Sequence, residues 1–409
     1  MNKRVLFIDH DAGRSGSTVS LEYLLVAFSK RGYEVYVHTP KRDSSALSEV
    51  VPDAKILCFK CRGIRTLAVS TLFLNTDFPL SWRGMKTNIK DLVKVFLGII
   101  LYRRAIRTTR ADLVYVNEHA VIQASIASWL CRIPSVIHVR SQLLKGTIGF
   151  RRYLIIRSIL NFNEMVFAIT DKEASQLNPR EHEMSKIKIV GEFLNGEQDH
   201  PVRDTVRRSK QAMYNGKSMI LMLGGVQKIK GTVDFLRAAQ KVAAIFHDAI
   251  FVIAGTIRKN GNRVERLHYE ECSRIIEDLK QSNQVLILGE IHNAMDWVAR
   301  TDVLVAVSTE SHFSRPVIEA WGFSKPVIAS ATAHMRSLIV NGVDGILVDV
   351  GDCIGLTGAI VKLLENKTLR VALGNAGKDK AKADFDASTN TSFIVDYCER
   401  ILQPLATTQ

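Results

Sequence analysis

Residues that could bind a charged ligand follow the apolar run 218–224 of this 409-residue sequence. Gly224 and Gly225 come first, and Lys230 then stands at the start of an amphipathic run. Glycine lets the backbone approach a ligand closely, and the unpaired N–H groups of a helix start favour an anion beside a lysine. The loop predicts a phosphate or diphosphate site, and a glycine turn with a solvated lysine is the alternative interpretation.

A second loop, in the stretch ESHFSRPVIEAWGFSKPVIAS at 310–330, carries the carboxylates Glu310 and Glu319. Pro316 suits the first turn of a helix. Glu319 near that helix start could accept two hydrogen bonds from a vicinal diol such as a ribose. The backbone N–H groups of 312–315 point at whatever lies above the helix end. A capping acid favoured by the helix dipole explains Glu319 alone equally well.

A third loop, HDAGRSGS at 10–17, holds Gly13 and Gly16, which permit close contact with a substrate or another domain. A plain flexible turn fits it as well.

A phosphate loop of the G-x-x-x-x-G-K-[ST] type and an Asp-x-Asp metal motif are both missing from the sequence. Cys58 and Cys61 form a single C-x-x-C without a second pair, which argues against a zinc site and favours reduced thiols.

The elements that position these loops alternate between apolar strands and amphipathic helices, which is typical of a parallel sheet covered on both faces. The predicted strands are 4–9, 33–39, 111–117, 134–139 and 164–170, then 218–224, 249–255, 284–289, 302–308 and 326–330. Two such series predict an α/β protein with two doubly wound domains, in which ligands bind beyond the carboxyl ends of the strands.

The predicted domains are 1–200 and 201–386, with the polar stretch 195–210 at their boundary. Residues 387–409 are expected to form a C-terminal helix and tail. That helix could dock on either domain, including back on the N-terminal one.

Charge is concentrated in one region of a chain whose composition, 46% hydrophobic and 23% charged, is typical of a globular protein. The formal net charge is +14, and residues 60–110 hold 11 basic and 2 acidic residues. Such a concentration predicts an acidic surface or substrate as the partner. The apolar run 92–102 is about half the length needed to span a bilayer, and the first residues do not read as a signal peptide.

These loops together resemble the retaining glycosyltransferases of family four, the glycosyl transferases group 1 of bacterial cell-surface polysaccharide synthesis. GGVQKIKG resembles the family's G-R-x-x-x-x-K-G loop, and the stretch at 310–330 resembles its E-x7-E region. IVNGVDGILVDVGD resembles the segment that follows, and GRSGSTVSLEYLLVAFSKRGYEV, TDKEASQL and EFLNG are looser matches. The resemblance implies the GT-B fold, with two facing Rossmann-like domains and an interdomain cleft. It also implies that 1–200 is the acceptor-binding domain and 201–386 the nucleotide-sugar-binding domain.

The resemblance also implies site residues. Lys230 would bind the donor diphosphate, Glu319 the ribose hydroxyls, 311–316 the sugar and phosphates, and the edge 288–291 the base. The donor-binding residues are then Gly13, Gly16, Gly224, Gly225, Lys230, Glu290, Ile291, Ser311, His312, Phe313, Ser314, Arg315, Pro316 and Glu319. The catalytic residues are Lys230, Glu310, Arg140 and His138.

Three positions depart from the family's pattern. Gly225 stands where an arginine is usual, Ser311 occupies the register of the first glutamate with Glu310 one residue early, and Arg140 replaces a histidine. Arg140 could supply the positive charge that Gly225 lacks, or hold an acceptor phosphate. His138, two residues earlier on the same strand, points the same way if the strand continues, and a core histidine is the alternative.

The implied reaction is a retaining, metal-independent hexosyl transfer, without a cofactor, from a nucleotide-diphosphate sugar to a saccharide or lipid-linked saccharide. The basic region 60–110, with a contribution from 150–160, is expected to bind an anionic membrane, which predicts a cytoplasmic protein peripheral on the inner membrane face. The alternatives are an inactive relative, a nucleotide-sugar epimerase, and a basic membrane- or nucleic-acid-binding protein. Nucleic acid is not an expected partner, since no aromatic-interleaved basic patch or helix-turn-helix signature is present.

Overall fold

The structure is a computed structural model that describes residues 2–10, 16–40, 51–57, 67–69, 82–143, 149–194, 216–259, 263–291 and 294–403. The chain divides into two compact units. Unit 1 comprises Met1–Phe193 and Ala387–Gln409, and unit 2 comprises Leu194–Asp386. Gly13, the whole predicted boundary 195–210, and parts of the basic region 60–110 lie outside the described residues.

Unit 1 is built on a parallel sheet, which in the described residues has seven strands in the order β3-β2-β1-β4-β5-β6-β7. Its elements before unit 2 are β1 Arg4–Ile8, α1 Gly16–Lys30, β2 Glu34–His38, β3 Lys55–Leu57, α2 Trp82–Thr109, β4 Leu113–Val116, a 3-10 turn His119–Val121, α3 Gln123–Cys131, β5 Ser135–Val139, α4 Phe150–Phe162, β6 Met165–Ala168, α5 Asp171–Ser175, a 3-10 turn Glu181–Lys186 and β7 Ile187–Ile189. The strand order reverses between β1 and β4, which pair directly.

Unit 2 repeats this design with a parallel sheet whose six described strands run in the order β10-β9-β8-β11-β12-β13. Its elements are β8 Ser218–Leu223, a 3-10 turn Lys228–Lys230, α6 Thr232–Ala243, β9 Ala249–Ala254, α7 Arg263–Gln281, β10 Val285–Gly289, α8 Ala294–Val298, β11 Val303–Ala306, α9 Arg315–Gly322, β12 Val327–Ser330, α10 Ala333–Leu338, β13 Ile346–Val348, α11 Cys353–Glu365 and α12 Lys367–Phe385. Here the order reverses between β8 and β11.

The strands of both units are apolar on both faces because helices cover each sheet on both sides. In β9, Phe251 and Ile253 belong to the core that packs with α6, α7 and α11. Ile250 and Val252, which alternate with them, belong to the core that packs with α8 and α9. Successive side chains of a strand point to opposite faces, so a strand buried on both sides reads as a continuous apolar run.

After unit 2 the chain returns to unit 1 as helix α13, Ala387–Leu402. Ile394, Val395 and Cys398 on its inner face are fully buried in a core shared with α1 and β1. Arg31 at the end of α1 forms ion pairs with Asp396 and Glu399 of α13 at 2.8 and 3.2 Å. The C-terminal helix is therefore part of the N-terminal unit.

The predicted α/β architecture with two doubly wound domains is confirmed, and all ten predicted strands are present in the described residues. Three further strands, β3, β7 and β13, were not predicted, and each is a three-residue strand at a sheet edge. A run of three residues is too short to show a strand periodicity.

Candidate functional site

The reversal of strand order in unit 2 brings together the loops that follow β8 and β11. A crevice forms at such a switch point because the two connecting segments leave the sheet on opposite faces. The loop after β8 holds Gly224, Gly225 and Lys230, and the loop after β11 holds 307–314. Half of the residues predicted to bind a donor therefore lie on two neighbouring loops, and Arg315, Pro316 and Glu319 lie in α9 directly after the second loop.

Gly225 is required by the backbone of the first loop. Its φ is +71°, and a Cβ built on it would lie 2.1 Å from the carbonyl oxygen of Thr256. The N–H groups of Gly224 and Gly225 both donate to the carbonyl of Ala254 at 2.9 Å, which holds the loop against the end of β9. The arginine that is usual in the resembling family would need a different backbone course here.

Close backbone contacts at Gly231 hold the loop after β8 against the loop after β11. Gly231 has a φ of +67°, and a Cβ on it would lie 1.9 Å from the carbonyl oxygen of Val307. The N–H of Thr309 donates to the carbonyl of Ile229 at 3.0 Å. The 3-10 turn that carries Lys230 is thereby fixed beside the β11 loop.

Lys230 and His312 meet at this junction, with 2.9 Å between Nζ and Nε2. The Nδ1 of His312 lies 3.0 Å from the carbonyl oxygen of Glu310, which can only accept, so Nδ1 carries the proton and Nε2 accepts from the lysine. Burial, and then the charge on Lys230, lower the pKa of His312 to about 4. Burial also lowers the pKa of Lys230 below its ordinary value. The imidazole is therefore neutral at neutral pH and orients the ammonium group.

Ser311 and His334 form a second contact in the β11 loop. The hydroxyl of Ser311 lies 2.9 Å from Nδ1 of His334 and accepts from its backbone N–H at 3.1 Å. It thus satisfies one of the free N–H groups at the start of α10, whose own N-cap, Thr332, makes no such bond. A neutral hydroxyl occupies the register in which the resembling family has a glutamate.

The start of α9 holds the second carboxylate. Ser314 is the N-cap, Pro316 lies in the first turn, and the guanidinium of Arg315 donates from Nε to Glu319 at 2.9 Å. Glu319 is only 9% exposed. This carboxylate is therefore neither a solvated surface charge nor a capping acid of the first turn.

The remaining predicted donor residues of unit 2 lie around these loops. Glu310 is exposed, and Phe313 is partly buried against the core at a 6.1 Å ring distance from Phe385. Glu290, beyond β10, is exposed and accepts from the hydroxyl of Thr256 at 3.0 Å. Ile291 packs against the core.

In unit 1, Arg140 lies just beyond β5 in a buried network. It is 7% exposed, donates from Nη1 to Glu192 at 2.9 Å and from Nε to Asn117 at 3.2 Å, and its Nη2 is 3.0 Å from Nδ1 of His138. The ring of Phe193 lies beneath the guanidinium. The guanidinium of Arg140 therefore forms its hydrogen bonds with protein groups.

His138 is fully buried, and its ring lies among Tyr115, Phe167 and Phe193. Burial, and then the charge on Arg140, lower its pKa well below the ordinary value. The contact with Arg140 shows that both side chains are on the same side of the strand, as the alternation predicted. Its position is that of a core histidine that orients Arg140, and its catalytic role stays a prediction.

Gly16, the one of the two loop glycines that the structure describes, is exposed at the start of α1. Polar residues that the sequence analysis did not single out lie nearby, after β1 and β4. They are Asp9, His10, Asn117, Glu118 and His119. The signal available in the sequence was the polar run NEH directly after an apolar strand.

Comparison with known proteins shows which proteins this chain resembles. Residues 204–380 match the family described as glycosyl transferases group 1. The chain is 25% identical over 214 residues to the lipopolysaccharide core biosynthesis glycosyltransferase LpsD of Rhizobium meliloti (strain 1021), covering 52% of this chain and 57% of LpsD. It is 28% identical over 182 residues to the lipopolysaccharide core biosynthesis mannosyltransferase LpcC of Rhizobium leguminosarum bv. viciae, covering 44% of this chain and 50% of LpcC. The matches span about half the length of these curated relatives.

Among solved structures, Anabaena HepE in complex with UDP-glucose superposes with a TM-score of 0.69 at 17% identity, covering 97% of this chain and 99% of that chain. At this identity the likeness shows the fold alone. The predicted GT-B fold is thereby confirmed.

Proposed function

We propose that this protein transfers a sugar from a nucleotide-diphosphate sugar to a hydroxyl of a saccharide or lipid-linked saccharide, because residues 204–380 match the glycosyl transferases group 1. The transfer retains the configuration of the anomeric carbon and uses no bound metal or other cofactor. The acceptor belongs to lipopolysaccharide or another cell-surface polysaccharide, as in the named activities of LpsD and LpcC.

The observation that carries this proposal is the contact between Lys230 and His312 at the switch point of unit 2. A lysine held by a neutral imidazole, beside two glycines, is a cation directed at the place where an open α/β sheet binds its ligand. Glu319, in α9 after the second loop, has a buried carboxylate that suits a ribose diol. HepE was solved with UDP-glucose, so UDP-sugars are the first donors to test.

The chemistry requires charge stabilisation on the leaving group. The acceptor hydroxyl oxygen forms a bond to the anomeric carbon, and the bond from that carbon to the diphosphate oxygen breaks. The electron pair of the broken bond stays on the diphosphate, which also takes the proton of the acceptor hydroxyl in a front-face substitution. Lys230 stabilises the negative charge that gathers on the diphosphate, and a fixed cation does so without reorganising during the reaction.

We place the protein at the cytoplasmic face of the membrane, bound peripherally through α2. This helix exposes an apolar stripe in which Ile89, Leu92, Phe96 and Ile100 are 59%, 71%, 64% and 50% exposed. Lysines and arginines flank the stripe, namely Lys86, Lys90, Lys94, Arg103, Arg104 and Arg107. An exposed apolar stripe with a basic rim suits an anionic lipid surface. No described helix combines the length and the apolar character that a bilayer-spanning segment needs.

Calorimetric titration with UDP-, GDP- and ADP-sugars and with pyrophosphate tests the donor site. Wild-type protein is expected to bind at least one nucleotide sugar, and Lys230→Ala should weaken both that donor and pyrophosphate by about tenfold or more, because a charge-assisted contact is lost. Glu319→Gln should weaken the nucleotide sugar and leave pyrophosphate binding unchanged, because the diol contact alone is lost.

The matched control is Lys228→Ala, which removes an exposed lysine from the same turn. An exposed charge contributes little, so its affinities should stay within about twofold of wild type. Equal losses in the two lysine variants would mean that general positive charge, rather than the placement of Lys230, binds the phosphates. Donor binding without sugar transfer to any lipid-linked saccharide would indicate an inactive relative. Nothing among the described residues favours an epimerase or a nucleic-acid-binding protein as a second candidate.

A further inference from the structure

A cavity of about 320 Å³ lies in unit 1 between α4 and the segment that follows α5. Ligand cavities of proteins span about 300 to 1,000 Å³, so this one suits a small group rather than a whole nucleotide sugar. One face of α4 lines it with Arg152, Tyr153, Ile156 and Arg157, and Leu177 and Asn178 lie across from that face. The described lining is therefore separate from the polar residues that follow β1 and β4.

Arg152 brings a positive charge to this cavity, whose described lining holds no carboxylate. Among the described residues its side chain forms one hydrogen bond, from Nη2 to the carbonyl oxygen of Gln176 at 3.2 Å. Gln176 is itself held, because its Oε1 accepts from the N–H of Leu143 at 2.7 Å and its Nε2 donates to the carbonyl of Ser141 at 3.1 Å. The guanidinium is therefore fixed in orientation, and its Nη1 is available to donate to a ligand.

Arg157, the second arginine of the lining, is already neutralised. It donates from Nη1 to both carboxylate oxygens of Glu183, at 3.0 and 3.2 Å. Burial would raise the pKa of Glu183, but the backbone N–H of Arg180 and then the charge on Arg157 outweigh it and lower the pKa below its ordinary value. Glu183 is therefore a carboxylate, and the charge of Arg152 is the one that a ligand can match. A singly charged anion does so, whereas a diphosphate would bring charge without a partner.

The other side of the ligand is set by apolar groups. Leu177 is fully buried and Ile156 is 8% exposed, while the ring of Tyr153 stands at the rim and is 55% exposed. A matching ligand carries carbon atoms directly beside its anionic group. The phosphodiester of a phospholipid has this chemistry, with a single negative charge between glyceryl carbons and its headgroup, and a tyrosine ring suits the boundary between lipid and water.

The outer face of α4 continues the exposed apolar stripe of α2. Arg151 on α4 forms an ion pair with Asp91 on α2, which is the neighbour in sequence of the stripe residue Leu92. Phe150 and Leu154 of α4 are 65% and 48% exposed. Exposed apolar side chains therefore extend from the stripe to the helix that lines the cavity, and a lipid layer bound along α2 would reach it.

We infer that this cavity binds the phosphodiester group of a membrane phospholipid, with Nη1 of Arg152 donating to a phosphate oxygen and the adjoining carbons packed on Ile156, Leu177 and the ring of Tyr153. The inference rests on the membrane association in the proposed function. It adds to that association a discrete lipid site, which selects one chemical group, beside a stripe that binds the lipid surface as a whole.

Isothermal titration calorimetry of the full-length protein with water-soluble probes tests the cavity without a membrane. The probes are dihexanoyl phosphatidylglycerol below its micelle concentration, glycerophosphoglycerol and inorganic phosphate. Wild-type protein should bind the short-chain lipid, and glycerophosphoglycerol about tenfold more weakly because it lacks the acyl carbons. Inorganic phosphate should bind more weakly still.

Two variants change the two sides of the site. Arg152→Gln should weaken the short-chain lipid by about tenfold or more, because a charge-assisted hydrogen bond is lost. Tyr153→Ala changes an exposed side chain, so the fold should be retained, and the loss of apolar contact should weaken the lipid by about threefold or more.

The matched control is Arg132→Gln, which removes an exposed arginine of unit 1 at the end of α3. Its affinity for the short-chain lipid should stay within about twofold of wild type, and the unfolding midpoint of each variant separates loss of the site from loss of fold. No binding of the lipid by wild type, equal affinities in wild type, Arg152→Gln and Tyr153→Ala, or equal losses in Arg152→Gln and Arg132→Gln, would overturn the inference. Inorganic phosphate bound as tightly as the lipid would also overturn it, in favour of a free phosphate.

Sedimentation with phosphatidylglycerol vesicles separates this inference from the proposed membrane docking. Short-chain lipid binding without vesicle binding would reject docking through α2 and leave the cavity as a lipid site. Vesicle binding without short-chain lipid binding would reject the cavity alone.

Discussion

At the residue scale, the contact between Lys230 and His312 has a consequence for stability. A histidine in an unfolded chain has a pKa near 6.5. Burial, and then the charge on Lys230, lower the pKa of His312 to about 4 in the folded protein. Between these values the unfolded chain takes up a proton that the folded chain does not. The folded state is therefore favoured fully above pH 6.5 and less as the pH falls towards 4.

This predicts that unit 2 loses roughly 3 kcal/mol of stability from His312 between pH 6.5 and pH 4, from about 1.4 kcal/mol for each pKa unit. His312→Gln should flatten that part of the pH profile. Urea unfolding at several pH values measures it through the fluorescence of Trp297 and Trp321, which are 3% and 0% exposed in unit 2. His38, whose pKa burial also lowers to about 4, lies in unit 1 and provides the control. If His38→Gln and His312→Gln had the same effect on the unit 2 transition, the assignment to His312 would be wrong.

At the scale of elements, α2 differs from the helices around the sheets in exposing an apolar stripe. In α6, Phe235, Leu236 and Val242 are fully buried, as expected for a helix that covers a sheet. In α2, Leu92 and Phe96 are 71% and 64% exposed. The helix still has a buried side, where Tyr102 and Ala105 join the core of unit 1. It can therefore lie on a lipid surface without leaving the fold.

Replacing Leu92 and Phe96 together by glutamate is expected to reduce binding to vesicles that contain about one third phosphatidylglycerol by about tenfold or more. The reason is the loss of buried apolar area together with repulsion between the new carboxylates and the anionic lipids. Vesicle sedimentation measures the binding, which should also weaken at high salt because basic side chains contribute to it.

The control for this experiment is Ile354→Glu on α11, which changes a residue that is 76% exposed in unit 2. It adds a carboxylate to an exposed apolar position outside the stripe and should leave vesicle binding unchanged. Equal binding by wild type and the α2 variant, or equal losses in the variant and the control, would contradict docking through α2.

At the scale of the whole molecule, the chain begins in unit 1, forms all of unit 2 and then returns to complete unit 1. Leu194, where the chain enters unit 2, donates from its backbone N–H to the carbonyl of Phe385, where the chain leaves it, at 2.8 Å. The entering and leaving segments therefore lie side by side. The core of unit 1 next to α1 is incomplete without α13. Residues nearly 400 positions apart therefore stabilise one domain.

Ile394→Ala is expected to destabilise unit 1 by about 2–5 kcal/mol, because this side chain is fully buried and its loss leaves a cavity. Hydrogen exchange should become faster for amides of β1 and β4 and stay unchanged for those of β8 and β9. Phe393→Ala, one residue earlier and at a 39% exposed position, is the control and should shift stability by about 0.5 kcal/mol or less. Faster exchange in unit 2 but not in unit 1 would contradict the assignment of α13.

The fold class and much of the donor loops could be predicted from the sequence alone. Apolar runs with the length and spacing of buried strands predicted every long strand, since a sheet covered on both faces demands them. Gly224, Gly225, Lys230 and Glu319 could be found because their types stand at strand and helix ends, where local rules apply. Lys230 and His312 could both be named as donor residues, but no local pattern joined them.

Which of these residues are in contact, and which polar groups are buried, could not be predicted and depends on the tertiary structure. The contact of Lys230 with His312 spans 82 residues, and that of Asn117 with Asp9 spans 108, so neither follows from periodicity. The sequence did not indicate which unit α13 docks on, because an amphipathic helix fits any complementary apolar face. The surroundings of His138 and Arg140 also indicate different roles for the two residues. His138 is enclosed by aromatic rings, whereas Arg140 orients Asn117. Such distinctions depend on strand order and packing, which bring together segments that the sequence keeps far apart.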